Sequence, residues 1–208
     1  MEHETFGDFE FERRFLVREL PPETASVQPA VIVQSYLLSS DGFAVRVRVQ
    51  ASNPSCIPSP GDTTTEVLAA IADEADFASL TAKGPYVGGT RYEAERELEV
   101  GVALEMVRRG GAHIAKMRYS LWLGEDGWVI DQFAGANAPL IVAEVERGGP
   151  VVDLTIPRFC EYEVTEDPRF SNDHLATGPY GAWAYRFQEE LAGKRERFAT
   201  SFGANRVE

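Results

Sequence analysis

Acidic and basic side chains recur on alternate positions along most of this 208-residue chain. Glu10 and Glu12, Glu93 and Glu95, and Glu144 and Glu146 form Glu-x-Glu pairs; Asp131 stands between Val129 and Phe133. Arg46-x-Arg48 and Lys116-x-Arg118 are the cationic counterparts, joined by Arg14, Lys83 and Arg91. On a strand, residues two apart point the same way and lie about 7 Å apart, so each pair presents two like groups to one side. Paired carboxylates offer the hard oxygen donors that hold Mg²⁺ or Mn²⁺, with Glu10, Glu12, Glu93, Glu95, Asp131, Glu144 and Glu146 as the candidate metal ligands. Cations on several walls can grip several oxygens of one polyanion, which makes Arg14, Arg46, Arg48, Lys83, Arg91, Lys116 and Arg118 the candidate phosphate-binding residues. A triphosphate bridged to a divalent ion satisfies both sets. Hydrolysis of its terminal phosphate by a metal-oriented water needs no Ser or Cys nucleophile, and the sequence carries no nucleophile motif.

The elements that position these residues follow from the same alternation. Period-2 patterning predicts strands near Phe9 to Val17, Val31 to Leu38, Phe43 to Gln50, Phe77 to Lys83, Arg91 to Glu99, His113 to Leu123, Trp128 to Phe133 and Leu140 to Arg147. Ser40-Asp41-Gly42 and Glu125-Asp126-Gly127 predict tight turns, so neighbouring strands run antiparallel. The three prolines between Asn53 and Asp62 read as a loop, Thr63 to Asp76 and Val100 to Arg109 as helices. After Pro157 come a short Glu-Val-Thr strand, a helix cap at Ser171-Asn172-Asp173 and a helical stretch from Trp183 to Ser201. Eight strands suffice to close a sheet. The expected fold is α+β: an eight-stranded antiparallel closed β-barrel with flanking helices and a C-terminal helical segment, in a single domain spanning 1–208 with its core at about 8–176 and the extension at about 177–208.

For any one strand, charge on alternate residues means a solvated face. Across the strands the pattern is different. Glu10, Glu12 and Arg14 oppose Phe9, Phe11 and Phe15; Thr81 and Lys83 share a face, as do Arg91, Glu93 and Glu95, and Glu144 and Glu146 oppose Ile141, Ala143 and Val145. If helices cover the barrel outside, the apolar faces meet that cover and the charges line the bore. Enclosing about a dozen ions costs several kcal/mol each after relaxation, which a hydrated, charged ligand offsets and a purely structural role does not.

The net charge of −13 argues against nucleic-acid binding, since a phosphate backbone needs a surplus of exposed cations. Cys56 and Cys160 fit neither a zinc spacing nor a disulfide framework. The N-terminus has neither a basic region nor an apolar run, and no segment has the length of a membrane span, so the expected setting is the cytoplasm with no membrane partner. The scattered His3, His113 and His174 read as surface or core residues. Trp122, Trp128 and Trp183 read as packing or dimer-surface residues, with base stacking the less frequent use.

The segment Glu10-Phe11-Glu12-Arg13-Arg14-Phe15-Leu16-Val17 resembles the opening Glu-x-Glu-x-Lys motif of CYTH domains, the triphosphate tunnel metalloenzymes. The likeness continues in the family's order through Arg46-x-Arg48, Lys83-Gly84-Pro85, Arg91-x-Glu93-x-Glu95, Lys116-x-Arg118, Asp131, Glu144-x-Glu146 and Glu163-Val164-Thr165. It implies an eight-stranded tunnel, divalent-metal dependence, metal ligation by Glu10, Glu12, Glu144 and Glu146, a homodimer, and hydrolysis or cyclisation of a triphosphate. It also implies a catalytic amine at Lys83, paired with Tyr36, which reads equally as a barrel-wall aromatic. Arg14 departs from the motif's Lys, bringing a planar fork in place of a titratable amine. Hydrolysis of inorganic tripolyphosphate is the leading expectation. Cyclisation of ATP to cyclic AMP and non-catalytic capture of a triphosphate are the alternatives.

Overall fold

The computed structural model describes residues 8–85, 90–194 and 196–208, with side chains described from residue 11 onward. Eight antiparallel strands close on themselves: β1 (Asp8–Val17), β2 (Ala30–Ser40), β3 (Phe43–Ala51), β4 (Phe77–Lys83), β5 (Thr90–Glu97), β6 (Ala112–Leu123), β7 (Asp126–Phe133) and β8 (Ile141–Arg147). Around the barrel the order is β1-β5-β4-β3-β2-β6-β7-β8, and β8 pairs back onto β1 from Phe11↔Arg147 to Val17↔Ile141. The β8–β1 seam is therefore diametrically opposite the β2–β3 pair. Asp41 and Gly42, both at positive φ, turn β2 into β3 as the sequence predicts.

The second turn falls elsewhere. β6 reverses at Gly124, whose φ of +60° needs no Cβ, and Glu125; Asp126 already belongs to β7 and holds Arg147 through Nε–Oδ1 and Nη2–Oδ2 contacts of 2.7 and 2.8 Å.

α1 (Thr64–Ile71) begins in a capping box between Thr63 and Glu66 and stops five residues short of the expected end. The following residues serve the next strand, because Asp76 donates its N–H to Gln50 and accepts from Ser52. α2 (Val100–Arg109) has the predicted bounds, with Glu99 as its cap and not the end of β5. Both helices lie outside the barrel. Val67, Leu68, Ile71, Ala103, Leu104 and Val107 pack on the outward residues Val33, Val47, Val49, Ala115 and Met117. Burying such side chains stabilises by about 1.5–3 kcal/mol each, so the outer face is the main core.

A second apolar cluster fills one end of the barrel from within. Leu16, Tyr36, Ala44, Ile114, Phe133 and Val142 meet Phe170, Leu175, Tyr180, Phe187 and Leu191 of the C-terminal segment. That segment comprises β9 (Thr155–Ile156), β10 (Cys160–Glu163), α3 (Asn172–Thr177, capped by Ser171), α4 (Ala184–Ala192) and β11 (Arg206–Val207). The expected helix to Ser201 ends at Gly193, and β11 then pairs in parallel with β9. The expected Glu-Val-Thr strand is displaced as well, since β10 ends at Glu163. Charge thus lines only part of the bore, and the remainder is an apolar plug.

β1 carries the tie between barrel and plug. Arg13 points outward and is fully buried, donating to both Glu163 oxygens at 2.8 and 2.7 Å and to Asn205 at 2.7 Å. Arg14 points inward and donates to the carbonyls of Phe170 and Thr165, both at 3.0 Å. Among the described residues no helix is long and apolar enough to cross a membrane.

Candidate functional site

Inside the barrel, a cavity of about 110 Å³ is lined by Glu12, Arg14, Gln34, Arg46, Arg48, Lys83, Arg91, Arg118, Gly127, Val129, Glu144, Glu146 and Asn172. Ten of these thirteen positions are charged or amide side chains contributed by strands, as alternation on a closed sheet requires.

The β8–β1 seam is acidic. Glu12 and Glu146 are cross-strand partners, and Glu144 lies opposite Arg14 in the same ladder. Like charges directly opposite each other destabilise a sheet unless a cation lies between them. The burial of Glu144, together with Asp131 and Glu12, pushes its carboxyl above the usual range. Glu12 lies 3.7 Å from Arg14 and 4.0 Å from Arg91, and Glu144 lies 3.3 Å from Arg118.

Facing the seam, β2 and β3 present Gln34, Tyr36, Arg46 and Arg48. The protonated form of Arg48 is disfavoured first by burial and then by Arg118 and Arg46, bringing its pKa down to about 10. The buried Nε atoms of Arg46 and Arg48 have no hydrogen-bond partner among the described residues. Crowded, partly unsatisfied cations are what a bound polyanion relieves.

Three of the other expected ligands, Asp131, Glu93 and Glu95, are engaged by protein donors. Asp131 is fully buried and receives Arg118 at 2.7 and 2.6 Å and Lys116 at 2.5 Å. Burial alone would raise its pKa, but Arg118 and Lys116 hold it well below the usual carboxylate range. Glu93 pairs with Lys83 and lies 3.4 Å from Arg46; Glu95 accepts from Ser79 at 3.1 Å and Thr81 at 2.9 Å. Glu10 lies opposite Arg91 in the β1–β5 ladder, and its side chain falls outside the described residues.

Lys116 is shifted into a titratable range, lowered by burial and by Arg118 to about 8. Lys83 sits on Glu93. Tyr36 is buried and its phenol is pushed up to about 12, chiefly by desolvation, so it stays protonated at neutral pH; its hydroxyl reaches Gln34 at 3.4 Å. The Arg14 fork spends two of its donors on the plug's carbonyls.

Sequence reasoning missed Gln34 and Asn172. The first shares Tyr36's face two residues away, a signal that was there. The second reads as a helix cap, and nothing local indicates that α3 closes the bore, where Asn172 accepts from Lys116 at 3.3 Å.

No family model matches the chain. Over 107 residues it is 36% identical to an inorganic triphosphatase of Acetivibrio thermocellus, across 50% of this chain and 69% of that protein. The chain belongs to the CYTH family of triphosphate tunnel metalloenzymes. Two solved crystal structures agree with the CYTH fold. One, described as an inorganic triphosphatase, is 26% identical with a TM-score of 0.53, covering 80% of this chain and 93% of that one. The other, described as a hypothetical protein, is 27% identical with a TM-score of 0.53, covering 80% and 97%.

Membership of the CYTH family implies a divalent metal. The residues fit one: Glu12 and Glu146 face each other with like charge, and Glu144 resists ionisation beside them. Among the described residues no three acidic, histidine or cysteine groups close into a ready cage. A hard cation bound at this CYTH seam would complete its shell with water and ligand oxygens.

Proposed function

We propose that this chain hydrolyses the terminal phosphate of inorganic tripolyphosphate, with Mg²⁺ or Mn²⁺ held by Glu12, Glu144 and Glu146. The observation that carries this reading is the opposition of two walls: carboxylates on the β8–β1 seam against Arg46 and Arg48 on the far side of one closed-ended bore. The similar proteins described as inorganic triphosphatases support the substrate class.

Arg46, Arg48, Arg91, Arg118 and Lys83 supply donors to phosphate oxygens along the chain of the anion. Asp131 holds Arg118 in place from behind, and Glu93 does the same for Lys83 and Arg46, so these acids orient cations and are not themselves ligands to metal. Lys116 keeps a proton close to the Asp131–Arg118 pair at neutral pH. A divalent ion at the seam would neutralise charge on the phosphoryl oxygens and lower the pKa of a bound water. The plug excludes bulk water from one end of the bore.

The test is phosphate release from tripolyphosphate with Mg²⁺, Mn²⁺ or EDTA, for the wild type and for Glu146→Gln and Arg48→Ala. Metal-dependent release that Glu146→Gln abolishes and Arg48→Ala weakens through KM supports the proposal. Release indifferent to EDTA or to Glu146 refutes it.

A further inference from the structure

We propose that the carboxamide of Asn172 binds phosphate oxygens at the blind end of the bore, as a neutral relay between the buried Lys116 ammonium and the anion. The inference rests on the triphosphate reading above and adds to it a substrate contact supplied by the C-terminal segment.

Lys116 shares the bore face of β6 with Arg118, yet it does not reach the cavity. It is 1% exposed, donates to Asp131 and is absent from the lining that includes Arg118. Asn172, the first residue of α3, stands there instead: it lines the cavity, and its Oδ1 accepts from Lys116 Nζ at 3.3 Å. Every other polar side chain of the lining comes from a barrel strand.

The Lys116 contact fixes which way the amide points. An ammonium has three donors and no acceptor, so only the amide oxygen can face it, and the NH₂ group is turned away. Among the described residues neither of those N–H groups has an acceptor. An open donor pair beside a cavity lined by Arg46, Arg48 and Arg118 suits a phosphate oxygen and not a cation. Donation from Lys116 to the carbonyl also polarises the amide and strengthens its N–H groups as donors.

The helix that carries Asn172 is tied down on both sides. Asp173 accepts from Ser39 Oγ at 3.1 Å, Asn137 Nδ2 donates to the Leu175 carbonyl at 3.1 Å, and Leu175 is fully buried in the plug. The amide therefore has a fixed place where the apolar end of the bore gives way to charge. Ile114, two residues before Lys116, belongs to the apolar cluster, and Arg118, two residues after it, to the cavity. Lys116 and Arg118 lie about 7 Å apart along β6, so the amide and the Arg118 fork address different phosphoryl groups of one chain. A neutral donor at the floor binds the end of the anion without adding a cation to a crowded cluster.

An amide in this place can also do no more than steady Lys116. The experiment separates the two roles. KM, kcat and melting temperature are measured for wild type, Asn172→Ala and Asn172→Asp on tripolyphosphate with Mg²⁺. The side-chain ¹⁵N–H resonances of Asn172, identified by their loss in Asn172→Ala, are followed during titration with tripolyphosphate in EDTA. Asp keeps an acceptor for Lys116 and removes both donors. The relay predicts KM raised about tenfold or more in both variants, no fall in Tm for Asn172→Asp, and a shift of the wild-type resonances on saturation. A wild-type KM in either variant overturns the proposal, and in Asn172→Asp alone it assigns Asn172 to steadying Lys116. Resonances that stay in place at saturating tripolyphosphate overturn it too. If tripolyphosphate binds without being hydrolysed, the hydrolase reading fails alone, and the resonances with the calorimetric Kd of the same variants decide the role of Asn172. A wild type that neither binds nor hydrolyses tripolyphosphate overturns both.

Discussion

Replacing Asp131 with Asn distinguishes an acid that orients cations from one that binds metal. Asp131 is fully buried, with Arg118 on both oxygens and Lys116 on one. Asn keeps the shape and one acceptor but removes the charge, so a buried ammonium and a guanidinium beside Arg48 lose the counter-ion they share, with Glu144 at 3.3 Å left to Arg118. Breaking a buried pair in this way costs about 3–5 kcal/mol, and the remaining acceptor brings the expectation to the lower end, about 3 kcal/mol. For a domain of this size that is a fall in Tm of about 6–12 °C. The pH dependence has a definite sign. Because the folded pKa of Asp131 is depressed, its stabilisation is present above the unfolded value of about 3.9 and is lost as pH falls through the folded one. Wild type and variant should therefore differ most at neutral pH and converge in acid. The assay is thermal unfolding in EDTA and with Mn²⁺, across pH. A variant as stable as wild type in EDTA, but deaf to Mn²⁺, would refute this account and return Asp131 to the metal ligands.

Three further substitutions separate stability from function. Ionised Glu144 counts against the fold at neutral pH, since its raised pKa favours the folded state only as pH falls through that value; Glu144→Gln should raise the Tm of the metal-free protein while lowering metal-dependent activity at least about 100-fold. Because protons and metal compete for Glu144, the acid limb of the pH–rate profile should move to lower pH as the divalent metal concentration is raised. Arg48→Ala should likewise raise Tm slightly, by relieving cation crowding, and weaken tripolyphosphate binding about 10- to 100-fold by calorimetry. Arg13→Ala, by contrast, strands Glu163 in the outer core and should cost about 3–5 kcal/mol in urea unfolding while leaving KM of the surviving folded protein near wild type.

The faces of the strands were legible in the sequence and their partners were not. Alternation placed Glu12, Arg14, Arg46, Arg48, Lys83, Arg118, Glu144 and Glu146 on the bore side, because side-chain direction depends only on parity. Pairing depends on register and strand order. A two-residue loop at Asp126-Gly127 would set Arg118 opposite Gly135, whereas the turn at Gly124-Glu125 sets it opposite Asp131; the four-residue slip keeps the face and changes the ion pair. Adjacency of β4 to β5 follows the chain, but that of β1 to β5 and of β2 to β6 does not, so the opposition of the seam to Arg46 and Arg48 had no local signal. The plug was hidden for a similar reason: Phe170, Leu175 and Phe187 read as ordinary helix-face residues, and only the closed barrel supplies the apolar end they fill. Arg13 had a signal that parity alone exposes, a charge on the phenylalanine face of β1.

The most direct test of the central claim is the product spectrum. Tripolyphosphate incubated with the protein and Mg²⁺ or Mn²⁺, followed by ³¹P NMR beside Glu146→Gln and an EDTA control, should yield phosphate and pyrophosphate in equal amounts in the first sample alone. Tight binding of tripolyphosphate with no change in its resonances under any metal would contradict hydrolysis and leave a bore that only captures the anion.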